Sequence, residues 1–512
     1  MMGKPSHRGR GPARVGSAKT LAVGSLVILA VLVLLLVRLG TGARNETTGK
    51  PLMVYCSAGI KPPVEQVAKQ YEQEFGGHIR LQYGPSGGLE SQIQINPSGD
   101  LFIPAERDPF LVRCQERGLV AESIPLAEFR LVLAVRPAAK AKIKSMDDLL
   151  TQDIGYALAN EQAAAGRLAQ QLLSKSGHWD KIKAGAKVFK STVTDVAQDV
   201  ALGVEVDAGF IWDATARQFG LEIVELAELA GGSSTIAAGV LAASAQPAAA
   251  LRFARYLAAP DQGGKTFRAA HFRPVAGDPW AVRPKITLFS GGVTRVAIQD
   301  TLKAFQDREG CDVTVVYHGC GTLVGMMKAG QQPDAYFACD VTFMDQVRDQ
   351  FGKALDVSQT NMVILVRPGN PKGIGSLADF ARPEMKVGLA DEQLSALGSL
   401  TKRLLQELGL YEKVRQNRRT SSPTADFLVT QLVAHDVLDA VVVYEANCSQ
   451  VGDRAEIVRI DHPYARAVQP LAIHRNNRYP QLTGRLRAAL AGASSRARFE
   501  SVGFRWLADQ HD

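Results

Sequence analysis

Apolar and polar positions alternate in blocks along this chain. Leu52-Met53-Val54-Tyr55 is a short apolar run, followed by the turn residues Cys56-Ser57-Ala58-Gly59 and by Pro62-Pro63. Apolar residues then recur at Val64, Val67, Ala68, Tyr71 and Phe75. The short run reads as a buried strand, and the three-to-four-residue spacing as a helix that proline starts. A second strand over 79–83, a Gly-rich turn, a further helix and a third strand come next. From residue 286 the pattern returns: Ile286-Thr287-Leu288-Phe289, then Ser290-Gly291-Gly292, then Ile298, Leu302 and Phe305 at helical spacing and a strand over 313–317. Each block opens as βαβαβ, which predicts a parallel sheet covered by helices.

The return is a repeat in the strict sense. Tyr83-Gly84-Pro85-Ser86-Gly87-Gly88-Leu89 is answered by Tyr317-His318-Gly319-Cys320-Gly321-Thr322-Leu323, and Asp100-Leu101-Phe102-Ile103 by Asp334-Ala335-Tyr336-Phe337, both at an offset of 234. Further on, Leu158-Ala159-Asn160-Glu161-Gln162 matches Leu389-Ala390-Asp391-Glu392-Gln393, and Asp207–Trp212 matches Asp439–Tyr444. The chain is therefore expected to hold two duplicated α/β units, at 51–280 and 285–512, joined around Gly277-Asp278-Pro279-Trp280.

The N-terminus belongs to neither unit. Leu21–Val37 is a run of 17 uncharged residues after a basic stretch over 1–20. As a helix at about 1.5 Å per residue it is long enough to cross most of a bilayer core. The positive-inside rule then keeps residues 1–20 in the cytoplasm and exports the chain beyond residue 39. An uncleaved anchor over 21–39 is favoured over a cleaved signal peptide, whose apolar core is shorter; residues 40–50 read as a polar tether. The charge distribution agrees: of 59 Lys/Arg and 51 Asp/Glu, residues 1–50 hold eight of the bases and one acid, so the rest is nearly neutral. Such a body is unsuited to a phosphate backbone, and no nucleic-acid partner is expected.

In parallel sheets, ligands sit beyond the carboxyl ends of the strands, where helices begin. The turns Cys56–Gly59 and Pro85–Gly88 fall there, and offer unsatisfied N–H groups, a helix dipole and a hydroxyl to an anion. A bare N-cap role for Ser86 is the alternative. Neither turn has the Gly-Lys-Ser/Thr of a phosphate loop or a dinucleotide fingerprint, so no nucleotide cofactor is implied.

The segments MVYCSAGIKPP, YGPSGGLESQI, GDLFIPAERD, AAAGRLAQ and DAGFIWDATA, in this order, resemble the periplasmic molybdate/tungstate-binding proteins of ABC importers; ITLFSGGVT, YHGCGTLVGMM, PDAYFACD and DAVVVYEANC carry the likeness in the second unit. The resemblance implies a type II periplasmic binding fold in each unit, with two lobes, a hinge and a cleft closing on a tetrahedral oxyanion. It also implies capture for an importer's permease and no enzymatic activity or cofactor. Carried over by position, the oxyanion contacts are Gly59, Ser86, Ala105, Ala165, Val196 and Trp212 in the first unit. In the second they are Val293, Cys320, Cys339, Ala396, Asp426 and Tyr444. There are departures: the family's first-turn serine is Gly59 or Val293, with Ser57 and Ser290 two and three residues earlier. Its tyrosine is Trp212 in the first unit, and its second-turn serine is Cys320 in the second. Asp426 and Glu445 bring carboxylates toward a dianion.

Six cysteines, Cys56, Cys114, Cys311, Cys320, Cys339 and Cys448, match no zinc spacing, and in an exported protein allow 15 disulfide connectivities. Cys320 and Cys339 are expected at one cleft, where they would pair or share a soft metal, with His318 nearby. No Ser/His/Asp or Cys/His set recurs in both units, which argues against catalysis. The alternative to a transport receptor is a membrane-tethered sensor or soft-metal receptor without transport.

Overall fold

A computed structural model describes residues 50–510 other than Asp436, together with Gly3. The expected anchor over 21–39 lies outside the described residues; among those described, no helix is long and apolar enough to cross a membrane.

The first unit has strands β1 (Leu52–Ser57), β2 (Ile79–Gly84), β3 (Leu101–Ile103), β4 (Val120–Val135), β5 (Tyr156–Ala159), β6 (Val188–Lys190), β7 (Ala208–Trp212), β8 (Glu222–Val224), β9 (Ser233–Leu241) and β10 (Arg273–Pro274). The second has β11 (Lys285–Gly291), β12 (Asp312–His318), β13 (Ala335–Phe337), β14 (Leu355–Val366), β15 (Val387–Ala390), β16 (Arg418–Ser422), β17 (Ala440–Tyr444), β18 (Glu456–Arg459), β19 (Arg466–Ile473) and β20 (Arg505–Trp506). Strand order is β2-β1-β3-β9-β4-β7-β5-β6 in the first unit and β12-β11-β13-β19-β14-β17-β15-β16 in the second. The duplication thus holds strand for strand. It also holds in register, since Leu52 faces Ile79 as Ile286 faces Val313.

Burial explains the order. β1 is buried at nearly every position, as suits a central parallel strand covered on both faces, whereas β2 is half-exposed at the sheet edge. The expected helices form over Lys61–Phe75 and Arg295–Glu309, burying Val64, Val67, Ala68 and Tyr71, and Ile298, Leu302 and Phe305.

Each unit has two lobes. β4 pairs with β9 from Val120 to Arg130, in the lobe of β1–β3, and with β7 and β8 from Leu131 to Val135, in the lobe of β5–β7. β14 makes the same change of partner between Asn361 and Met362. The chain crosses between lobes on β4 and on the approach to β9, which is a two-strand hinge.

Each unit encloses its own hydrophobic core. The units meet through charge. Glu309, 2% exposed, receives Arg485 Nε at 2.6 Å and Nη2 at 3.0 Å from its own unit. Arg255 of the first unit donates to its backbone carbonyl and lies 3.5 Å from its carboxylate. Beside it, Arg308 pairs with Glu122 of the first unit. Asp278, in the joint, accepts the Gln481 and Leu482 N–H groups at 2.9 Å each, capping the helix Pro480–Leu490.

Candidate functional site

The first cleft is built by the turns after β1, β2 and β3 in one lobe and after β5 and β7 in the other. Ser86 is the first residue of the helix Ser86–Ile95, with Pro85 as its N-cap, and is fully buried. Its hydroxyl accepts the Ala105 N–H at 3.1 Å, which leaves its own proton for a further acceptor. Pro85 holds the N-cap position, so Ser86 stands one residue inside the helix rather than at its cap. The Gly87 N–H donates to the Gln162 carbonyl at 2.9 Å, so the lobes are closed on each other. An ion pair reinforces the closure, with Arg167 Nη2 2.6 Å from Glu106, a carboxylate 3% exposed.

Glu106 carries a pH dependence. Burial, only partly offset by Arg167, pushes its carboxyl up to about 7. In the unfolded chain it titrates near the ordinary glutamate value, so from about pH 4.5 to 7 the native state binds the extra proton. Stability contributed by this group is then greatest below the unfolded pKa and falls as pH rises through the native one. Thermal unfolding from pH 5 to 7.5 is expected to show this fall, and Glu106→Gln to flatten it; equal slopes in both proteins would refute the assignment.

Gly59 and Trp212 are linked. A Cβ on Gly59 would lie 2.9 Å from Val193 Cγ2 and 3.3 Å from the Trp212 indole, so the missing serine side chain is space taken by Val193 and Trp212. Phe129 stacks on Trp212 at 4.0 Å and fixes the ring. Gly59→Ala is expected to cost about 1–3 kcal/mol by overpacking. Adding Val193→Ala should recover part of that loss, because the nearest contact is gone. Denaturant unfolding of the two single variants and the double would read the coupling; strict additivity would break the link.

In the second cleft, three positions differ together from the first. Cys320 stands where Ser86 does, Cys339 where Ala105 does, and Tyr336 where Phe102 does. The Cys339 N–H donates to Cys320 Sγ at 3.0 Å, repeating the Ala105–Ser86 bond with sulfur. The Cys339 thiol and the Tyr336 hydroxyl act electrostatically on Cys320, and the Val293 N–H on Cys339; the Tyr336 hydroxyl is itself buried without a hydrogen-bond partner. Burial works against a Cys320 thiolate, but the Cys339 thiol and N–H and the Tyr336 hydroxyl outweigh it and hold the thiol below its usual value. Hydrogen bonding to Cys320 and burial push Cys339 well up. A Cβ on Gly291 would collide with Cys339 Sγ and stand 3.1 Å from Cys320 Sγ, so glycine makes room for the pair. A cavity of about 20 Å³ lies at this point, lined by Val293, His318, Cys339, Asp426 and Tyr444 among others. The Tyr444 hydroxyl is buried without a partner. The cavity adjoins a wider pocket of about 400 Å³, with Gly292, Asp426 and Asn447 common to both.

The remaining expected residues are placed less uniformly. Ser57 ends β1 and is 6% exposed. The Ser290 hydroxyl is engaged 2.6 Å from that of Thr294. Ala165 and Ala396 are not counterparts: the helices Ala164–Lys175 and Ala396–Glu407 pair Ala164 with Ala396, because the preceding loop is one residue longer in the second unit. Val196 and Asp426 are likewise out of step. Val196 sits deep in the helix Val193–Leu202, close against Gly209 of β7, while Thr194 holds the place that Asp426 holds on Ala425–Ala434. Thr194 Oγ1 lies 3.4 Å from the Ala58 carbonyl across the cleft. Asp426 accepts from Asn447 at 2.7 Å, and Glu445 is engaged with Asn361 at 3.0 Å near the hinge rather than aimed at the cleft. Val193, Thr194, Phe129, Tyr336 and Asn447 were missed by sequence reasoning. Aligning the two units residue by residue exposes Tyr336 against Phe102; the others have no comparable signal.

All six cysteines are buried free thiols. Among the described residues, no group of three or more His, Cys, Asp and Glu is placed to hold a metal ion.

Two lobes on a two-strand hinge, with helix starts facing each other across the gap, define a protein that closes around a small solute. The chain belongs to the bacterial extracellular solute-binding protein family, whose model matches it twice, at residues 52–273 and 286–505. Members of this family bind rather than catalyse. A putative binding protein of Haemophilus influenzae is 27% identical over 226 residues, 44% of this chain and 91% of its own length. The putative ABC transporter substrate-binding lipoprotein YvgL of Bacillus subtilis is 27% identical over 37% of this chain and 75% of its own. The molybdate-binding protein ModA of Mycobacterium tuberculosis is 25% identical over 38% of this chain and 74% of its own. Among solved structures, the periplasmic molybdate-binding protein of Azotobacter vinelandii aligns with 44% of this chain and all of its own, at 20% identity and a TM-score of 0.38.

Proposed function

We propose that this protein is an extracytoplasmic receptor that captures a tetrahedral oxyanion of the molybdate/tungstate class in its first cleft and presents it to an ABC importer. The observation that carries the reading is Ser86: a fully buried hydroxyl on the first residue of a helix, whose oxygen accepts the Ala105 N–H and whose own proton is left for a further acceptor. A dianion in a dry cleft needs fixed dipoles of this kind, since a lysine or arginine there is not required. The names of the molybdate-binding relatives support the ligand class, and that of YvgL supports the importer. The apolar run Leu21–Val37 supports an anchor that holds the receptor beside its permease.

Calorimetric titration of the full chain with molybdate, tungstate, sulfate and phosphate tests the ligand. Tight binding of molybdate or tungstate is expected; heat with none of the four anions would overturn the reading. A reporter fused after residue 50 should be exported and remain with the membrane, and recovery of a soluble shortened form would replace the anchor with a cleaved signal.

A further inference from the structure

Three of the substitutions that separate the second cleft from the first lie together. Cys320, Cys339 and Tyr336 replace Ser86, Ala105 and Phe102, and together they exchange one hydroxyl and two apolar groups for two thiols and a phenol. Ser86 and Ala105 have no redox chemistry; their counterparts do.

We propose that Cys320 and Cys339 form a reversible disulfide, making the floor of the second cleft a redox-responsive modification site. Geometry supports the pairing on three counts. The Cys339 N–H already bonds Cys320 Sγ at 3.0 Å, which brings the second residue's backbone against the first residue's sulfur. Gly291 leaves the space that both sulfurs occupy. Cys320 opens the helix Cys320–Lys328, where the N–H groups and dipole favour a thiolate, the nucleophile in disulfide exchange. Cys339 lines the small cavity that adjoins the 400 Å³ pocket, whereas Cys320 is fully buried, so attack by Cys320 on an oxidant requires the lobes to part. Both residues belong to a chain of an extracellular family, and exported proteins meet disulfide oxidants. The other four cysteines have no such neighbour: Cys56, Cys114, Cys311 and Cys448 are buried singly.

The reaction balances with a low-molecular-weight disulfide as oxidant. The Cys320 thiolate attacks one sulfur of the oxidant, forms a mixed disulfide and releases one thiolate. Cys339 gives up its proton and attacks Cys320 Sγ, which forms the internal bond and releases the second thiolate. Two protein thiols are oxidised, one disulfide is reduced to two thiols, and the steps reverse with excess thiol.

The test uses the full chain in mixtures of reduced and oxidised glutathione, quenched in acid, alkylated after denaturation and mapped by peptide mass. The expected result is that the peptides of Cys320 and Cys339 pass together into one linked species, with the square of the thiol concentration over that of the disulfide setting the midpoint. The other four cysteines stay fully alkylated. Excess reduced glutathione should restore both free thiols. Cys339→Ala, which installs the residue of the first unit, should instead stop at a glutathione adduct on Cys320. Wild-type protein in which both cysteines remain alkylable at the most oxidising ratio, or carry one glutathione each without linking, overturns the proposal. The wild-type map decides the matter even if the variant fails to fold.

Discussion

Ser86→Ala is expected to weaken molybdate binding by the full chain about 10- to 150-fold. A hydrogen bond to a charged group is worth roughly 1.5–3 kcal/mol, and each 1.4 kcal/mol is tenfold in affinity. The hydroxyl is fully buried and its oxygen is engaged by the Ala105 N–H at 3.1 Å, so its orientation is set before a ligand arrives. Truncation therefore removes a preorganised donor. It also strands the Ala105 N–H, but that cost falls on free and bound forms alike and appears as lost stability rather than lost affinity. Lobe closure should weaken in step with binding, since differential contact with the ligand is what favours the closed state. Calorimetry of wild type and variant under one set of conditions separates the effects. Equal affinities would reduce Ser86 to a structural residue and move the oxyanion contacts elsewhere.

Glu309→Ala is expected to destabilise the chain by about 3–5 kcal/mol, the usual cost of leaving buried cations without their anion. Glu309 is 2% exposed and Arg255 is 7% exposed. Arg255 has two further nitrogens, Nε and Nη2, that are buried without a partner, and burial holds its guanidinium below the usual arginine value. With Glu309 gone, Arg255 and Arg485 repel across the joint, and the carboxylates of Asp278 and Glu122 remain to act on them. The same change should split unfolding into two transitions, because the hydrophobic cores are separate and this cluster is a principal link between them. Glu309→Gln keeps the hydrogen-bond acceptor and should fall between the two. Denaturant titration followed by tryptophan fluorescence reads both quantities; a loss below about 0.5 kcal/mol with one transition would show that the cluster binds the units only weakly.

Much of this architecture is legible in the residues because it is local or repeated. An apolar run followed by helical spacing marks a strand and a helix without knowledge of partners, and an offset of 234 carries Ser86 onto Cys320 and Asp100 onto Asp334. Parallel-sheet chemistry then puts the turns of Ser86 and Cys320 at strand ends, where they are found. Positions reached through loops are less legible. One extra residue before Ala396 moves that helix a step along the alignment, and a helix start rotated by one residue turns a different side chain to the cleft. That is why Thr194 rather than Val196 matches Asp426: a helix advances about 100° per residue, so an error of one or two positions exchanges a cleft face for a core face.

The sequence by itself determined the duplication, the βαβαβ opening of each unit and the placing of Ser86 and Cys320 on turns after strands. Those features depend on periodicity and spacing, which are written along the chain. The tertiary structure alone decided that Val193 and Trp212 fill the place of a Gly59 side chain, that Ser290 turns to Thr294, that Tyr336 attends the two thiols, and that Glu309 joins the units through arginines 54 and 176 residues away. Each of these is a contact that local pattern does not specify, and most join segments remote in sequence. Its energy comes from packing or from charges removed from water, and neither depends on how far apart the partners lie along the chain.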